Sequence, residues 1–209
     1  MKIVAFVPIK LNNERLPNKN ILPLNGKPLC YYIFSRLIEL NLKTYVYCSD
    51  EKIKNFIPND VIFVKRNINL DQNTTKGLEI YNSFVNKINA DFYILAHATS
   101  PFTKTTTIKK CIDSFEKHDS AFTVLKYQTF SWFKNKPINY HLNDIPRTQD
   151  IEPIYIETSS VYSFKKEIIS NNRRIGNNPN FIEVDLVEAI DIDTESDYNF
   201  AKKLESLLI

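Results

Sequence analysis

The feature that most constrains the fold of this chain is a repeated alternation of short apolar runs with amphipathic segments. We predict strands over residues 3–8, 44–48, 61–64, 92–96, 121–125, 161–164 and 181–185. We predict helices over residues 28–41, 75–88, 105–117, 165–170 and 194–208. Because parallel strands need crossover connections, this order favours a three-layer α/β/α fold with a mainly parallel sheet.

Composition is ordinary for a globular domain. The chain has 209 residues, of which 43% are hydrophobic and 24% charged, and we expect one domain over residues 1–209. Residues 126–157 are rich in aromatic residues and prolines and lack helical periodicity. We interpret them as an excursion that contacts a substrate or a second subunit.

The net charge and the number of cysteines limit the classes of binding partner and the cellular compartment that we expect. The formal net charge is +3, with basic residues interspersed among acidic ones, so we expect no nucleic acid partner. Three cysteines without C-x-x-C spacing predict neither a disulfide framework nor a zinc site. With no signal-peptide pattern and no apolar run near the roughly 20 residues that span a membrane, we expect a cytoplasmic protein without a membrane segment.

Glycine is scarce, with Gly26, Gly77 and Gly176 the three in the sequence. This excludes a G-x-G-x-x-G fingerprint and a P-loop, both of which need glycines where the backbone approaches phosphate. A bound nucleotide would therefore be held by side chains and by the amides of other residues.

A polar loop follows the first predicted strand and carries Lys10, Arg15 and Lys19 among several asparagines. Loops at the carboxyl ends of strands form the ligand-binding edge of open α/β sheets. Each phosphate oxygen favours a charge-assisted hydrogen bond, so the loop suits a polyphosphate. The alternative is a solvated basic connection between two elements.

Asp191 and Asp193 flank Ile192 in a segment that we predict to be extended. In that conformation both carboxylates project to one side and Ile192 to the other. Two neighbouring carboxylates suit Mg²⁺. Taken alone, capping of the following helix explains the two acids equally well.

The sequence P-I-K-L-N-N-E-R-L-P-N-K-N-I from Pro8, followed by L-N-G-K-P-L, resembles the amino-terminal signature of the cytidylyltransferases that activate sialic acids and related nonulosonic acids. The matching residues are Pro8, Arg15, Pro17, Lys19 and Asn20, whereas Lys10 replaces an arginine, Asn13 a serine and Glu14 a lysine. The segment E-A-I-D-I-D-T-E-S-D-Y resembles the magnesium signature of that family, which favours the metal interpretation of Asp191 and Asp193. The resemblance implies a Rossmann-like nucleotidyltransferase fold.

Three further segments resemble the family in part. After the fourth strand, Thr99, Ser100 and Pro101 match, with His97 in place of a glutamine that touches the acceptor sugar and Thr103 in place of an arginine. A second segment resembles the part of the family sequence that holds the cytosine and the phosphates. There Arg66 and Leu70 match the family pattern, Asn73 replaces an aspartate, and small residues follow to Thr75. A third segment resembles the part of the family sequence that reaches the acceptor's carboxylate and contributes to the dimer contact. The residues that match it are Arg147, Gln149, Asp150, Pro153 and Glu157, whereas Thr158-Ser159 replaces Asn-Gly.

The resemblance implies an enzyme, a homodimer, that transfers CMP from CTP to a sialic acid or related nonulosonic acid, releases pyrophosphate and uses Mg²⁺ on Asp191 and Asp193. The catalytic residues that it implies are Lys10, Arg15, Lys19, Asp191 and Asp193. The nucleotide-binding residues are Asn13, Asn20, Arg66 and Thr75. The acceptor-binding residues are His97, Thr99, Ser100, Arg147, Gln149 and Glu157. Phe130, Trp132 and Phe133 are candidate dimer anchors, with packing inside their own subunit as the alternative.

Two alternative classes of function stay open. The first is another nucleotide-handling enzyme, either a glycosyltransferase with an Asp-x-Asp metal site or a relative that takes a different acceptor or base. The second is a non-catalytic nucleotide-binding domain, which would explain the replacements at Glu14, His97 and Thr103.

Overall fold

The apolar runs of the sequence form strands, and the amphipathic segments between them form helices. A computed structural model describes residues 2–206. Its strands are β1 (Ile3–Ile9), β2 (Pro23–Leu24), β3 (Lys27–Pro28), β4 (Lys43–Cys48), β5 (Ile62–Lys65), β6 (Phe92–Ala96), β7 (Ser120–Tyr127), β8 (Trp132–Phe133), β9 (Lys136–Pro137), β10 (Ile154–Lys165) and β11 (Pro179–Val184). Its α-helices are α1 (Leu29–Glu39), α2 (Gly77–Lys87), α3 (Thr105–Asp113), α4 (Lys166–Ser170) and α5 (Glu195–Glu205).

A seven-stranded sheet forms the middle layer, in the spatial order β11-β7-β10-β6-β1-β4-β5. Its pairs are parallel except at β10, which is antiparallel to β6 and to β7. The helices α1 and α3 pack on one face, and α2 and α4 pack on the other. The predicted three-layer fold with a mainly parallel sheet is therefore confirmed.

Strand β1 lies in the interior of the sheet and is buried on both faces. Ala5, Val7 and Ile9 pack into the core on the α1 and α3 side, whereas Val4 and Phe6 pack into the core on the α2 side. This explains why the strand is continuously apolar instead of alternating, since both faces of a parallel sheet are covered by helices. The strand ends at Ile9, where the polar loop begins.

The segment between β7 and β10 is shorter than the predicted excursion. β7 continues to Tyr127 and β10 begins at Ile154, so the excursion spans residues 128–153 and contains the β8–β9 hairpin. The strand prediction over residues 161–164 is too short, because the polar run at residues 158–160 interrupts the apolar pattern inside a strand of twelve residues. The pairing of β10 with β7 shifts register between Glu157 and Tyr162, and Ser159 adopts a positive φ of 61° in that irregularity.

The predicted helices differ from the observed ones mainly at their ends. Thr194 caps α5 from outside the helix, with its hydroxyl accepting from the Asp197 backbone N–H. The predicted end of that helix at Leu208 lies outside the described residues. Helix α3 ends at Asp113 and continues as a short 3₁₀ turn. None of the helices in residues 2–206 is long and apolar enough to cross a membrane.

The loop between α4 and β11 is fastened to the start of β7 by one carboxylate. Asp119 accepts hydrogen bonds from the backbone N–H groups of Asn177 and Asn178, at 2.8 and 3.0 Å, and from the Ser120 hydroxyl at 2.9 Å. The Cα of Gly176 lies against this carboxylate, and a Cβ there would overlap it. A glycine at position 176 is therefore required by close approach.

We expect Gly176→Ala to destabilise the fold by about 2 kcal/mol, because the methyl group displaces Asp119 from charge-assisted hydrogen bonds. Urea unfolding of the single variants and of the Gly176→Ala/Asp119→Ala double variant measures this effect. In the Asp119→Ala background the alanine at position 176 should cost much less, since the overlapping group is gone. Equal costs in the two backgrounds would contradict the assignment.

Candidate functional site

Two adjoining cavities open at the carboxyl ends of β1 and β6. The larger cavity has a volume of about 460 Å³, and the smaller cavity about 330 Å³. The residues that line both are Pro8, Lys10, Asn13, Lys19, Tyr81, His97 and Asp193. This edge of the sheet is where open α/β folds bind ligands.

The loop after β1 is shaped by its own polar groups and by apolar packing. Asn18 adopts a positive φ of 57° before the 3₁₀ turn at Lys19–Ile21. The Asn20 amide donates to the Lys10 carbonyl at 2.8 Å, which closes the loop on itself. Leu16 packs with Ile192 in a core cluster separate from the two main ones, so this loop and the distant tail segment share an apolar contact.

Asp193 pairs with two cations of that loop. Lys19 Nζ lies 2.6 Å from Asp193 Oδ1, and Arg15 Nη2 lies 3.0 Å from Asp193 Oδ2. The Lys19 side chain is 10% exposed, whereas that of Arg15 is 70% exposed. A nearly buried cation needs a partner, so Asp193 holds Lys19 at the border of the two cavities.

Asp191 lines the smaller cavity and has a different environment. The Ile192 backbone N–H donates to the Thr99 carbonyl at 2.8 Å, and the Ile192 side chain is fully buried. Both acids line the smaller cavity, as the extended conformation predicted. Asp191 Oδ1 is buried and has no hydrogen-bond partner within residues 2–206. A buried carboxylate oxygen without a partner is costly, so this atom fits a cationic ligand.

The two acids are a sparse donor set for a metal. No group of three or more histidine, cysteine, aspartate or glutamate side chains in the described chain is arranged to hold a metal ion. Mg²⁺ commonly binds proteins through one or two carboxylates and completes its shell with water and substrate phosphates. The pair therefore fits Mg²⁺ better than a metal that needs a cage of protein ligands.

The acidic replacement at position 14 is accommodated by a second replacement at position 73. The Asn73 amide nitrogen donates to Glu14, and the Asn73 amide oxygen accepts from Lys10 Nζ at 3.0 Å. An aspartate at position 73 would repel Glu14 instead of donating to it. Asn73 thus links Glu14 to Lys10 and keeps the lysine at the larger cavity, which all three residues line.

Arg66 is buried, and its donors contact the protein. Its Nε and Nη2 bind Asp71 Oδ1 at 3.0 and 2.7 Å, while Nη1 and Nη2 donate to the carbonyls of Tyr47 and Ile9. The guanidinium fastens the ends of β4 and β1 to the turn at residues 68–71. Arg66 and the predicted nucleotide-binding residue Thr75 both line the larger cavity.

His97 is held as a neutral imidazole. Its Nδ1 contacts the Ser159 carbonyl, which can only accept, so Nδ1 carries the proton. Nε2 then acts as acceptor and lies 3.4 Å from the Tyr81 hydroxyl. Burial lowers the pKa of His97, and the nearby Arg174 and Lys19 charges act in the same direction. The imidazole therefore presents no charge to the cavities at neutral pH.

The other predicted acceptor-binding residues are not gathered in one place. Thr99 lines the smaller cavity, whereas Ser100 is fully buried and lines neither. Arg147 is exposed and pairs with Asp150 at 2.7 Å, and the Gln149 carbonyl accepts from the Gln128 amide. The side chains of Arg147 and Gln149 lie outside both cavities of their own chain.

Three residues with polar side chains line the smaller cavity without being among the predicted site residues, namely Tyr81, Ser159 and Arg174. Tyr81 has the spacing of a core residue of α2, and Ser159 sits inside a strand. Arg174 lies in the loop between α4 and β11, which leads to the amino end of a strand. Ligands of open α/β sheets bind at the carboxyl ends of strands, so the sequence position of Arg174 did not predict that it lines a cavity.

We expect the pH dependence of stability to reveal the lowered pKa of the half-buried His97. Between the lowered folded pKa and the usual value of 6.5, the unfolded chain binds more protons, so stability rises with pH. The contribution is present above 6.5 and is lost as the pH falls through the folded pKa. Thermal unfolding at pH 7.5 and at pH 5.5 should show a larger loss for wild type than for His97→Gln. An equal loss in both proteins would contradict the assignment.

Comparison with curated proteins finds distant relatives over most of the chain. N-acylneuraminate cytidylyltransferase A of Danio rerio is 24% identical over 215 residues, which cover 96% of this chain and 50% of that protein. The 8-amino-3,8-dideoxy-manno-octulosonate cytidylyltransferase of Shewanella sp. (strain ANA-3) is 25% identical over 127 residues, which cover 58% of this chain and 51% of that protein. The matched regions thus span about half the length of these relatives.

Comparison with solved structures finds the same fold. A CMP:2-keto-3-deoxy-manno-octonic acid synthetase complexed with CTP superposes with a TM-score of 0.74 at 14% identity and full coverage of both chains. The family model described as cytidylyltransferase matches residues 4–208, a range that runs from the first strand to the tail segment with the paired acids. The chain belongs to the cytidylyltransferase family.

Proposed function

We propose that this chain transfers CMP from CTP to an acidic keto-deoxy sugar, a sialic acid or a related nonulosonic or octulosonic acid, and releases pyrophosphate. The contact of Asp193 with Lys19 and Arg15 carries the proposal, because it joins phosphate-binding cations and paired acids at one site. The names of the relatives support the substrate class, since each specifies an acidic keto-deoxy sugar.

The larger cavity takes the nucleotide in this proposal. Lys10, Arg15 and Lys19 line it and supply charge-assisted hydrogen bonds to the phosphates. Arg15 is mostly exposed and can turn from Asp193 to a phosphate oxygen without loss of buried packing. The same cations stabilise the charge that develops on the departing pyrophosphate.

The smaller cavity takes the acceptor sugar. A hydroxyl oxygen of the acceptor attacks the α-phosphorus of CTP, the new O–P bond forms, the bond to pyrophosphate breaks, and the hydroxyl proton passes to solvent water. His97 and Thr99 line this cavity and orient the sugar. Because positioning and electrostatics supply most of the acceleration in phosphate transfer, no covalent intermediate with the protein is needed.

Asp191 and Asp193 would hold Mg²⁺ in this proposal. The buried Oδ1 of Asp191, which has no hydrogen-bond partner among the described residues, supports that role. Asp193 lines both cavities, and Asp191 lines the smaller one. When bound, the ion would act as a Lewis acid toward the reacting phosphate and lower the pKa of the attacking hydroxyl.

We expect Mg²⁺-dependent release of pyrophosphate with CTP and an acidic sugar, and not with ATP, GTP or UTP. The measurement is a coupled pyrophosphate assay with N-acetylneuraminate, 3-deoxy-manno-octulosonate and its 8-amino analogue as acceptors. Preference for another triphosphate would refute the cytidine assignment. No release with any pair would favour a nucleotide-binding domain.

Variants of the paired acids test the metal role in this assay, and a variant of an aspartate outside the site serves as the matched control. Asp191→Asn combined with Asp193→Asn should lower kcat/KM more than about 100-fold, since metal stabilisation of a phosphate transition state is worth several kcal/mol. Asp113→Asn removes an exposed aspartate that pairs with Lys109 on α3 and should leave the rate unchanged. An undiminished rate in the double variant would refute the metal role.

We further propose that the excursion at residues 128–153 binds a second copy of the chain. Its exposed apolar side chains are Phe130, Trp132, Phe133, Ile138, Leu142 and Ile145. Phe130 and Trp132 pack on Tyr140 within the excursion, with ring centroids 5.0 and 6.2 Å apart. An ordered apolar surface of this kind is typical of a subunit contact.

We expect sedimentation equilibrium to give a dimer for wild type and a monomer for Trp132→Ser/Phe133→Ser, because the substitutions remove aromatic anchors. Phe200→Ser changes a similarly exposed phenylalanine on α5 and should leave the dimer intact. A monomeric wild type would refute the proposal.

A further inference from the structure

The smaller cavity contains one cation that the phosphate-binding loop does not supply. Arg174 lines it together with Asp191, Thr99 and Ser159, and none of these four residues lines the larger cavity. Among the described residues, Lys10 and Lys19 are the other cations of the smaller cavity, and both also line the larger one. Arg174 is thus the cation specific to the half of the site that we assign to the acceptor.

The guanidinium of Arg174 is held in place by two residues of β10. Its Nη2 lies 2.8 Å from Glu157 Oε2, and its Cζ lies 4.3 Å from the centre of the Tyr162 ring. Tyr162 in turn donates its hydroxyl to Glu157 Oε2 at 2.8 Å. The ion pair and the cation–π contact hold the guanidinium in place, and it has further N–H donors in addition to the one that Glu157 uses.

The loop that carries Arg174 is ordered by its own contacts. The neighbouring Arg173 donates to the Asn177 side chain at 2.6 Å and to the Gly176 carbonyl at 2.9 Å, and Asp119 holds the backbone of residues 177 and 178. Arg173 therefore fastens the loop, while Arg174 reaches the cavity. A binding group that is fixed before the ligand arrives loses less entropy on binding.

An acidic acceptor needs a cation in this half of the site. Asp191 and Asp193 line the smaller cavity, and their charges would repel an acceptor carboxylate. An arginine fork binds both oxygens of a carboxylate and offsets this repulsion. Arg147, which the sequence predicted for that task, pairs with Asp150 outside the cavities of its own chain.

We infer that Arg174 binds the carboxylate of the acceptor sugar and sets the preference of this enzyme for acidic over neutral acceptors. This inference rests on the proposed function, because it requires that the smaller cavity take the acceptor. It assigns a specificity-determining role to Arg174, and it gives Glu157 the role of positioning the guanidinium.

The experiment compares each acid with its methyl ester, which keeps the sugar and removes the charge. Pyrophosphate release is measured with N-acetylneuraminate and 3-deoxy-manno-octulosonate, and with the methyl ester of each, for wild type, Arg174→Gln and Arg174→Lys. We expect wild type to prefer the acid by about 10-fold to 100-fold in kcat/KM, the range for hydrogen bonds to a charged group. Arg174→Gln should bring the ratio close to one, and Arg174→Lys should give an intermediate ratio. The KM for CTP should change by less than about twofold.

Arg36→Gln is the matched control. Arg36 is 39% exposed and pairs with Glu39 on α1, much as the 36% exposed Arg174 pairs with Glu157. It lies on a helix that lines neither cavity, so its acid-to-ester ratio should equal that of wild type. Thermal unfolding of each variant shows whether it is folded, and Arg174→Lys keeps the test decisive if Arg174→Gln is unstable.

Different failures overturn different statements. An unchanged acid-to-ester ratio in both Arg174 variants, or a rise in the KM for CTP with no change for the acid, would refute the inference and leave the proposed function standing. A collapse of the ratio in Arg147→Gln instead would assign the carboxylate to Arg147. No pyrophosphate release by wild type with either acid would refute the proposed function, and the inference with it.

Discussion

The contact between Lys19 and Asp193 joins the two segments of the chain that form the candidate site, the loop after β1 and the segment that precedes α5. Lys19 is nearly buried, and the 2.6 Å ion pair satisfies a charge that would otherwise be costly to remove from water. The packing of Leu16 on the cluster that contains Ile192 holds the same two segments together without charge. The ion pair therefore occupies a place that packing already defines. Under the proposed function, a phosphate of the nucleotide would replace Asp193 as the partner of Lys19.

Two residues that depart from the sequence pattern of the sialic acid cytidylyltransferases, Glu14 and His97, each have a neighbour that accommodates the change. Glu14 would be an unfavourable neighbour for an aspartate at position 73, but Asn73 donates to it and accepts from Lys10. His97 donates its Nδ1–H to the carbonyl of Ser159, a residue with positive φ that lies in the irregularity of β10. These contacts favour a site adapted to its ligand over a site that has lost its function.

Three arginines illustrate how burial and neighbours decide the role of a side chain. Arg66 is enclosed and joins strand ends through carbonyls and Asp71. Arg147 is exposed and satisfied by Asp150 within three residues. Arg174 is intermediate, because Glu157 and Tyr162 hold its guanidinium while it still lines a cavity.

The layer order, the cationic loop and the pair of acids could be predicted from the sequence, because they depend on local patterns. Apolar runs such as residues 3–8, loops at strand ends and the D-I-D spacing each carry their own periodicity or charge. Local pattern failed at β10, where the polar residues 158–160 lie inside a long strand, because the segments on either side of them pair with β7 and β6 and carry the strand through the irregularity. Only the tertiary structure decided that Arg66 is internal, that Arg147 lies outside the cavities and that Arg174 lies inside one. The reason is that the location of these side chains depends on segments remote in sequence, such as those that bring Arg66 to the Tyr47 and Ile9 carbonyls and Arg174 to Glu157. No local pattern records those contacts.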